Sequence, residues 1–237
     1  MRPAVLVTGG AIRVGRGIAL HMAGLGYDVA LHYNSSASEA ESTASVIKKA
    51  GADCTLFQAD LNDPLSYEKL IVSAKQAFPG LSALVNSAAV FDRGTFMESD
   101  AALYQKEFRI NFEAPVFLTQ AFARHIQKGS VVNIIDTTVT RQMISYFFYS
   151  LSKKALLEFT RMAAVELAPH IRVNGICPGY LLPAEGWGDD YRKKLEPTLP
   201  LRKIASVEDV AGIAAMLIQT ASLTGQVIFV DGGESLI

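Results

Sequence analysis

The chain has 237 residues, half of them hydrophobic and 19% charged, a balance unlike that of disordered chains and long enough to fill one sizeable core. Its formal net charge of −1 supplies no positive field to draw in a phosphodiester backbone, which argues against nucleic acid as a partner. No run approaches the roughly 20 apolar residues that span a bilayer, and the apolar run at 4–8 is too short for a secretion signal. Cys54 and Cys177 each sit inside an apolar, strand-like run and are expected to be buried, reduced thiols. His21, His32, His125 and His170 show no metal-ligand spacing, so no metal is expected. The expectation is a single cytoplasmic domain over residues 1–237 acting on a small molecule, with no membrane partner.

In chain order, apolar runs read as seven strands, at 4–8, 28–33, 54–59, 83–86, 130–136, 172–177 and 226–231. Amphipathic stretches lie between them at 15–25, 38–50, 65–78, 104–125, 149–168 and 207–219. Near-continuous apolar strands alternating with helices require helices on both faces of a parallel sheet, because right-handed crossovers place them there. The fold class is therefore α/β: a single-domain Rossmann fold with a doubly wound, seven-stranded parallel sheet. Residues 180–205, with Pro183, Pro197 and Pro200 and weak periodicity, read as a substrate lid.

The first strand runs into Thr8-Gly9-Gly10-Ala11-Ile12-Arg13-Val14-Gly15-Arg16-Gly17. Glycines there allow unusual φ values and bring backbone amides to a pyrophosphate, which a helix N-terminus then stabilises. After the second strand, His32-Tyr33-Asn34-Ser35-Ser36 lacks the acid that would bind a ribose 2′-hydroxyl, so a 2′-phosphate meets no repulsion and NADPH is favoured over NADH. Ser35 and Ser36, with His32 nearby, are candidate phosphate partners. Asp60-Leu61 closes the third strand, and Asp60 has two readings: a contact to adenine or a helix cap ahead of Pro64. Tyr149 and Lys153, four apart at a helix start, share one face, so an ammonium can sit by the phenol. Lowering a phenol from about 10 to near neutrality takes about 4 kcal/mol of electrostatic help. The same spacing also occurs on ordinary helix faces.

End to end, these motifs resemble the short-chain dehydrogenase/reductases. The resemblance extends to Val85-Asn86-Ser87-Ala88-Ala89 after the fourth strand and Cys177-Pro178-Gly179 after the sixth. It implies that Tyr149, Lys153 and Asn111 are catalytic, with Asn111 holding a water linked to the lysine. It implies further that Gly9, Arg13, Val14, His32, Tyr33, Asn34, Ser35, Ser36, Asp60, Leu61, Ser87, Ala88, Ala89, Tyr149, Lys153, Pro178 and Gly179 bind NADPH/NADP+. Three departures stand out: Ser87 replaces the second asparagine of the usual motif, an arginine often found beside Ser35 is missing, and Asp136 occupies the place of the usual catalytic serine. A carboxylate beside a developing alkoxide raises its energy, whereas addition of hydride to a C=N bond calls for a proton on nitrogen. Asp136, taken with Arg13 and Phe91, resembles the pteridine reductase and dihydromonapterin reductase branch, in which the aromatic residue stacks the pterin on the nicotinamide. Ala89 departs from a serine often found beside that aromatic residue.

The implied activity is NADPH-dependent reduction of a dihydropterin or dihydrofolate, with Arg13, Phe91, Asp136 and Tyr149 holding the substrate. Two other readings stand beside it: a carbonyl or 3-oxoacyl reductase in which Asp136 is protonated or displaced, and a cofactor-binding sensor without turnover. The helices containing Asn111 and Tyr149 resemble those that pair in family homotetramers.

Overall fold

The computed structural model describes residues 2–182 and 190–237. Seven strands form one all-parallel sheet: β1 (Ala4–Val7), β2 (Asp28–Tyr33), β3 (Cys54–Gln58), β4 (Leu81–Asn86), β5 (Gly129–Ile134), β6 (Ile171–Pro178) and β7 (Val227–Val230), in the order β3-β2-β1-β4-β5-β6-β7. The order reverses between β1 and β4, which opens a crevice at their C-terminal ends.

Alternation along each strand divides the core. Val5, Val7, Val29, Leu31, Val85 and Val132 face one side, packing on α1 (Arg13–Gly24), α2 (Ala37–Lys49) and α8 (Val207–Gln219). Ala4, Leu6, Leu84, Val131 and Val173 face the other, against α3 (Leu65–Ala77), α5 (Ala114–His125) and α6 (Phe147–Glu166). Each fully buried leucine or valine contributes about 1.5–3 kcal/mol of transfer free energy, so a sheet covered on both faces is the larger part of the stability. α8 starts on a capping box, Ser206 with Asp209.

A buried polar line crosses the centre of the sheet. Asn86 and Asn133 are in register on β4 and β5, and Asn86 Nδ2 donates to Asn133 Oδ1 at 2.8 Å. Asn133 Nδ2 donates to Thr160 Oγ1 at 2.9 Å, and Thr160 donates to Leu156 O within α6 at 2.7 Å.

The structure corrects the sequence reading in two places, and a third lies partly outside the described residues. The helix expected at 104–125 is α4 (Ala101–Phe108), a π-helical turn (Arg109–Glu113) and α5, with Asp100 capping the start through Leu103 N. A residue-by-residue periodicity cannot register one extra residue in a turn; such turns gather at functional sites. Strand five stops at Ile134, because Asp136 is the extended cap of a 3-10 turn (Thr137–Thr140). Of the lid expected at 180–205, residues 183–189 with Pro183 lie outside the described residues; beyond them come a short helix α7 (Asp190–Leu195) and a 3-10 turn (Glu196–Thr198).

Candidate active site

The crevice is a cleft of about 780 Å³, and every residue expected at the site borders it except Asn111, which lies just beneath. At one end the turn after β1 is shaped by backbone requirement. Gly9 has φ 62°, and a Cβ on Gly15 would lie 2.2 Å from Gly9 O, so only glycine lets α1 start this close to the turn. Arg13, the first residue of α1, has φ 52°, an uncommon conformation for a side-chain-bearing residue, and its guanidinium donates to Leu182 O at 3.3 Å. Thr8 Oγ1 accepts from Ser87 N at 2.9 Å and Ala88 N at 3.1 Å, tying the β1 and β4 exits together.

His32 is a correction. Its Nδ1 accepts from Gly9 N at 3.1 Å, and Nε2 faces Ala59 O at 3.1 Å. Only 2% of the residue is exposed, and burial lowers its pKa to about 4, so it is a neutral brace for the glycine turn and not a cation for a phosphate. Tyr33, Asn34, Ser35 and Ser36 border the same end. Asp60 caps no helix: its Oδ1 accepts from Asn62 N at 2.9 Å, while Asp63 accepts from Leu65 N at the start of α3. Leu61, Ser87, Ala88 and Ala89 line the floor, and Pro178 and Gly179 the wall below β6.

At the other end the chemical groups converge. Tyr149 donates its hydroxyl to Asp136 Oδ2 at 2.6 Å, and Asp136 Oδ1 accepts from Thr138 N at 2.7 Å. Burial, followed by the Asp136 carboxylate, pushes the Tyr149 phenol well above its ordinary range. The expectation of a phenol lowered by its lysine is not met in the protein alone; Asp136 holds the proton on oxygen. Lys153 is buried, donates to Ile134 O at 2.9 Å, and stands 5.8 Å from the Tyr149 ring centroid. Desolvation lowers its pKa to about 8.

Asn111 gives its amide to Val90, accepting from Val90 N and donating to Val90 O at 3.0 Å each, and donates to Glu107 Oε2 at 2.6 Å. Phe91 meets Tyr149 edge-on at 4.6 Å between centroids, and one of its faces is stacked on Tyr146 at 4.2 Å. Phe91 keeps 47% of its surface exposed and borders the cleft.

Sequence reasoning missed Tyr146, Glu107, Arg141 and Glu234. Tyr146 is three residues before Tyr149, and its aromatic type at a helix start was the available signal. Arg141 pairs with the buried Glu234 carboxylate at the cleft mouth, across a separation in sequence that no local pattern reveals.

The family model described as enoyl-(acyl carrier protein) reductase matches residues 10–235. Pteridine reductase 1 of Leishmania tarentolae is 32% identical, over 99% of this chain and 96% of its own length. The crystal structure of FolM alternative dihydrofolate reductase 1 from Brucella canis, complexed with NADP, superposes with TM-score 0.94 at 35% identity, covering 99% of this chain and 94% of that one. Acetoin dehydrogenase YohF from Salmonella typhimurium superposes with TM-score 0.91 at 25% identity, covering 100% and 97%.

Proposed function

Because this chain belongs to the short-chain dehydrogenase/reductase family, an oxidoreductase family, we propose that it is a cytoplasmic NADPH-dependent reductase of a flat nitrogen heterocycle, a dihydropterin or dihydrofolate. The observation that carries this reading is the 2.6 Å bond from the Tyr149 hydroxyl to Asp136, where the ordinary ketone-reducing arrangement has a hydroxyl side chain.

The cleft fits the dinucleotide. The Gly9 and Gly15 cradle would be filled by any Cβ, the turn leads onto the N-terminus of α1, and no carboxylate stands at the end of β2. Gly9, Arg13 and Val14 would hold the pyrophosphate, Ser35 and Ser36 the 2′-phosphate, and Asp60 and Leu61 the adenine. Ser87, Ala88, Ala89, Pro178 and Gly179 would enclose the nicotinamide half, with Lys153 on its ribose. When bound, NADPH supplies the hydride.

The chain's own residues manage the proton. Tyr149, kept protonated by burial and by Asp136, gives its proton to the substrate nitrogen as the hydride arrives, and a proton from solvent, relayed through Asp136, restores the phenol. Its carboxylate also matches the donor edge of an aminopyrimidine. The exposed ring of Phe91 seats the heterocycle, and Arg13 helps to hold it. The Brucella canis structure bound to NADP and the Leishmania tarentolae pteridine reductase support the choice over a carbonyl reductase. Exposed apolar side chains on α5 and α6, Phe117, Leu151, Met162 and Val165, support a homotetramer paired through those helices.

The test is NADPH consumption with dihydrobiopterin, dihydrofolate and an acetoacetyl thioester, with Tyr149→Phe as control. Pterin-dependent turnover that disappears in the control is expected; turnover on the thioester and none on either pterin overturns the reading. Light scattering of the purified protein tests the tetramer, which a monomer mass refutes.

A further inference from the structure

Residues 90–94 belong to no strand, yet they are pinned from both sides. Gly94 N donates to Ser145 O and Phe147 N to Gly94 O, each at 2.9 Å, on the side of α6. On the opposite side Asn111 holds both polar groups of Val90, and Asp92 N donates to Glu107 Oε1 at 2.8 Å. Glu107 lies one turn before Asn111 and its other oxygen accepts from Asn111 Nδ2. Phe91 sits between the two pinned residues, and its ring lies against Tyr146 and Tyr149. The π-helical turn starts immediately after α4, which sets Asn111 beneath Val90 while Glu107 reaches Asp92.

We propose that Glu107 is a positioning residue for the reaction: together with Asn111 it fixes residues 90–92 so that Phe91 stands as the wall on which the flat substrate is seated. This rests on the reading of the cleft as a heterocycle reductase. Glu107 is fully buried, and both of its oxygens act as acceptors for N–H donors, a pattern only a carboxylate serves. An amide offers one acceptor, so its NH₂ group is forced against either Asp92 N–H or the Asn111 NH₂. The charged groups acting on Glu107 are Asp92, which opposes its ionisation, and Lys106 and Lys153, which favour it; Tyr149 feels its charge in turn.

The test combines a double-mutant cycle with amide exchange. Glu107→Gln, Phe91→Leu and the double variant are assayed with dihydrobiopterin, and exchange at Asp92 is followed by NMR in NADP-saturated protein. Glu107→Gln is expected to raise KM for the pterin about tenfold with kcat within about threefold, to speed Asp92 exchange about tenfold, and to add little to KM once Phe91 is Leu. Glu107→Asp, which keeps the charge but shortens the reach, is expected to behave alike and substitutes if the glutamine variant does not fold. Unchanged Asp92 exchange, or a KM effect undiminished in the Phe91→Leu background, overturns the proposal. If the wild-type protein reduces no pterin, the functional reading fails, and faster Asp92 exchange in the variants still upholds the clamp.

Discussion

Asp136, Tyr149 and Lys153 are the part of the site that local sequence describes best, since two of them share a helix face and the third closes a strand region. Their proton states were not legible, because burial and the Asp136 contact decide them. Replacing Asp136 by serine restores a hydroxyl beside the phenol, so Asp136→Ser is expected to lose at least tenfold in kcat/KM on dihydropterin while gaining on a ketone; parallel rates on both substrates measure the switch. Lys153, lowered to about 8 by burial, is charged below that pH and neutral above it. Activity that needs its charge is therefore expected to fall as pH rises through about 8, and Lys153→Arg, though slower, to keep a flat profile up to pH 10. Glu107 runs in the opposite sense for stability. Its pKa is raised from 4.5 to about 7, so the folded protein is favoured by its protonated form and loses roughly 3 kcal/mol as pH rises from 4.5 through 7. Glu107→Gln lacks this loss, so the deficit that its misplaced NH₂ group causes is expected to narrow between pH 5 and pH 8 in urea unfolding.

The glycine turn and the helix around Asn111 differ in how visible they are at the scale of an element. A turn crowded with glycines after an apolar strand announces a backbone requirement, and Gly15→Ala tests it: the added carbon collides with Gly9 O, so NADPH affinity is expected to drop at least tenfold in a fluorescence titration while unfolding stays cooperative. The helix at 104–125 reads as uninterrupted because one extra residue in a turn leaves the apolar spacing nearly intact. Glu107 was passed over for the same reason: its partner is residue 92, which arrives from the other side of a turn. His32 failed as a phosphate ligand because its neighbours in space, Gly9 and Ala59, take both ring nitrogens.

Across the whole molecule the doubly wound parallel sheet was legible from alternation, since seven buried runs separated by helices leave few ways to wind one, whereas the order of its strands came only from the structure. The C-terminal tail was invisible, because Glu234 acquires its meaning only beside Arg141 at the cleft mouth. Glu234→Ala leaves Arg141 without its partner and is expected to raise KM for the heterocycle severalfold with NADPH affinity unchanged, as steady-state kinetics and fluorescence will report. The line from Asn86 through Asn133 to Thr160 has a wider reach. Asn133→Ala removes its middle member and leaves the Asn86 amide only its long 3.4 Å bond to Thr119, which is expected to cost about 1–3 kcal/mol in urea unfolding. That line ties α6 to the centre of the sheet by side chains at one height, which fixes the helix carrying the phenol and the ammonium against sliding. Rim loops other than residues 90–94 and the turn capped by Asp136 are thereby released from aligning the site, and exchanging them for those of a relative should redirect substrate choice while the proton-handling groups keep their stations.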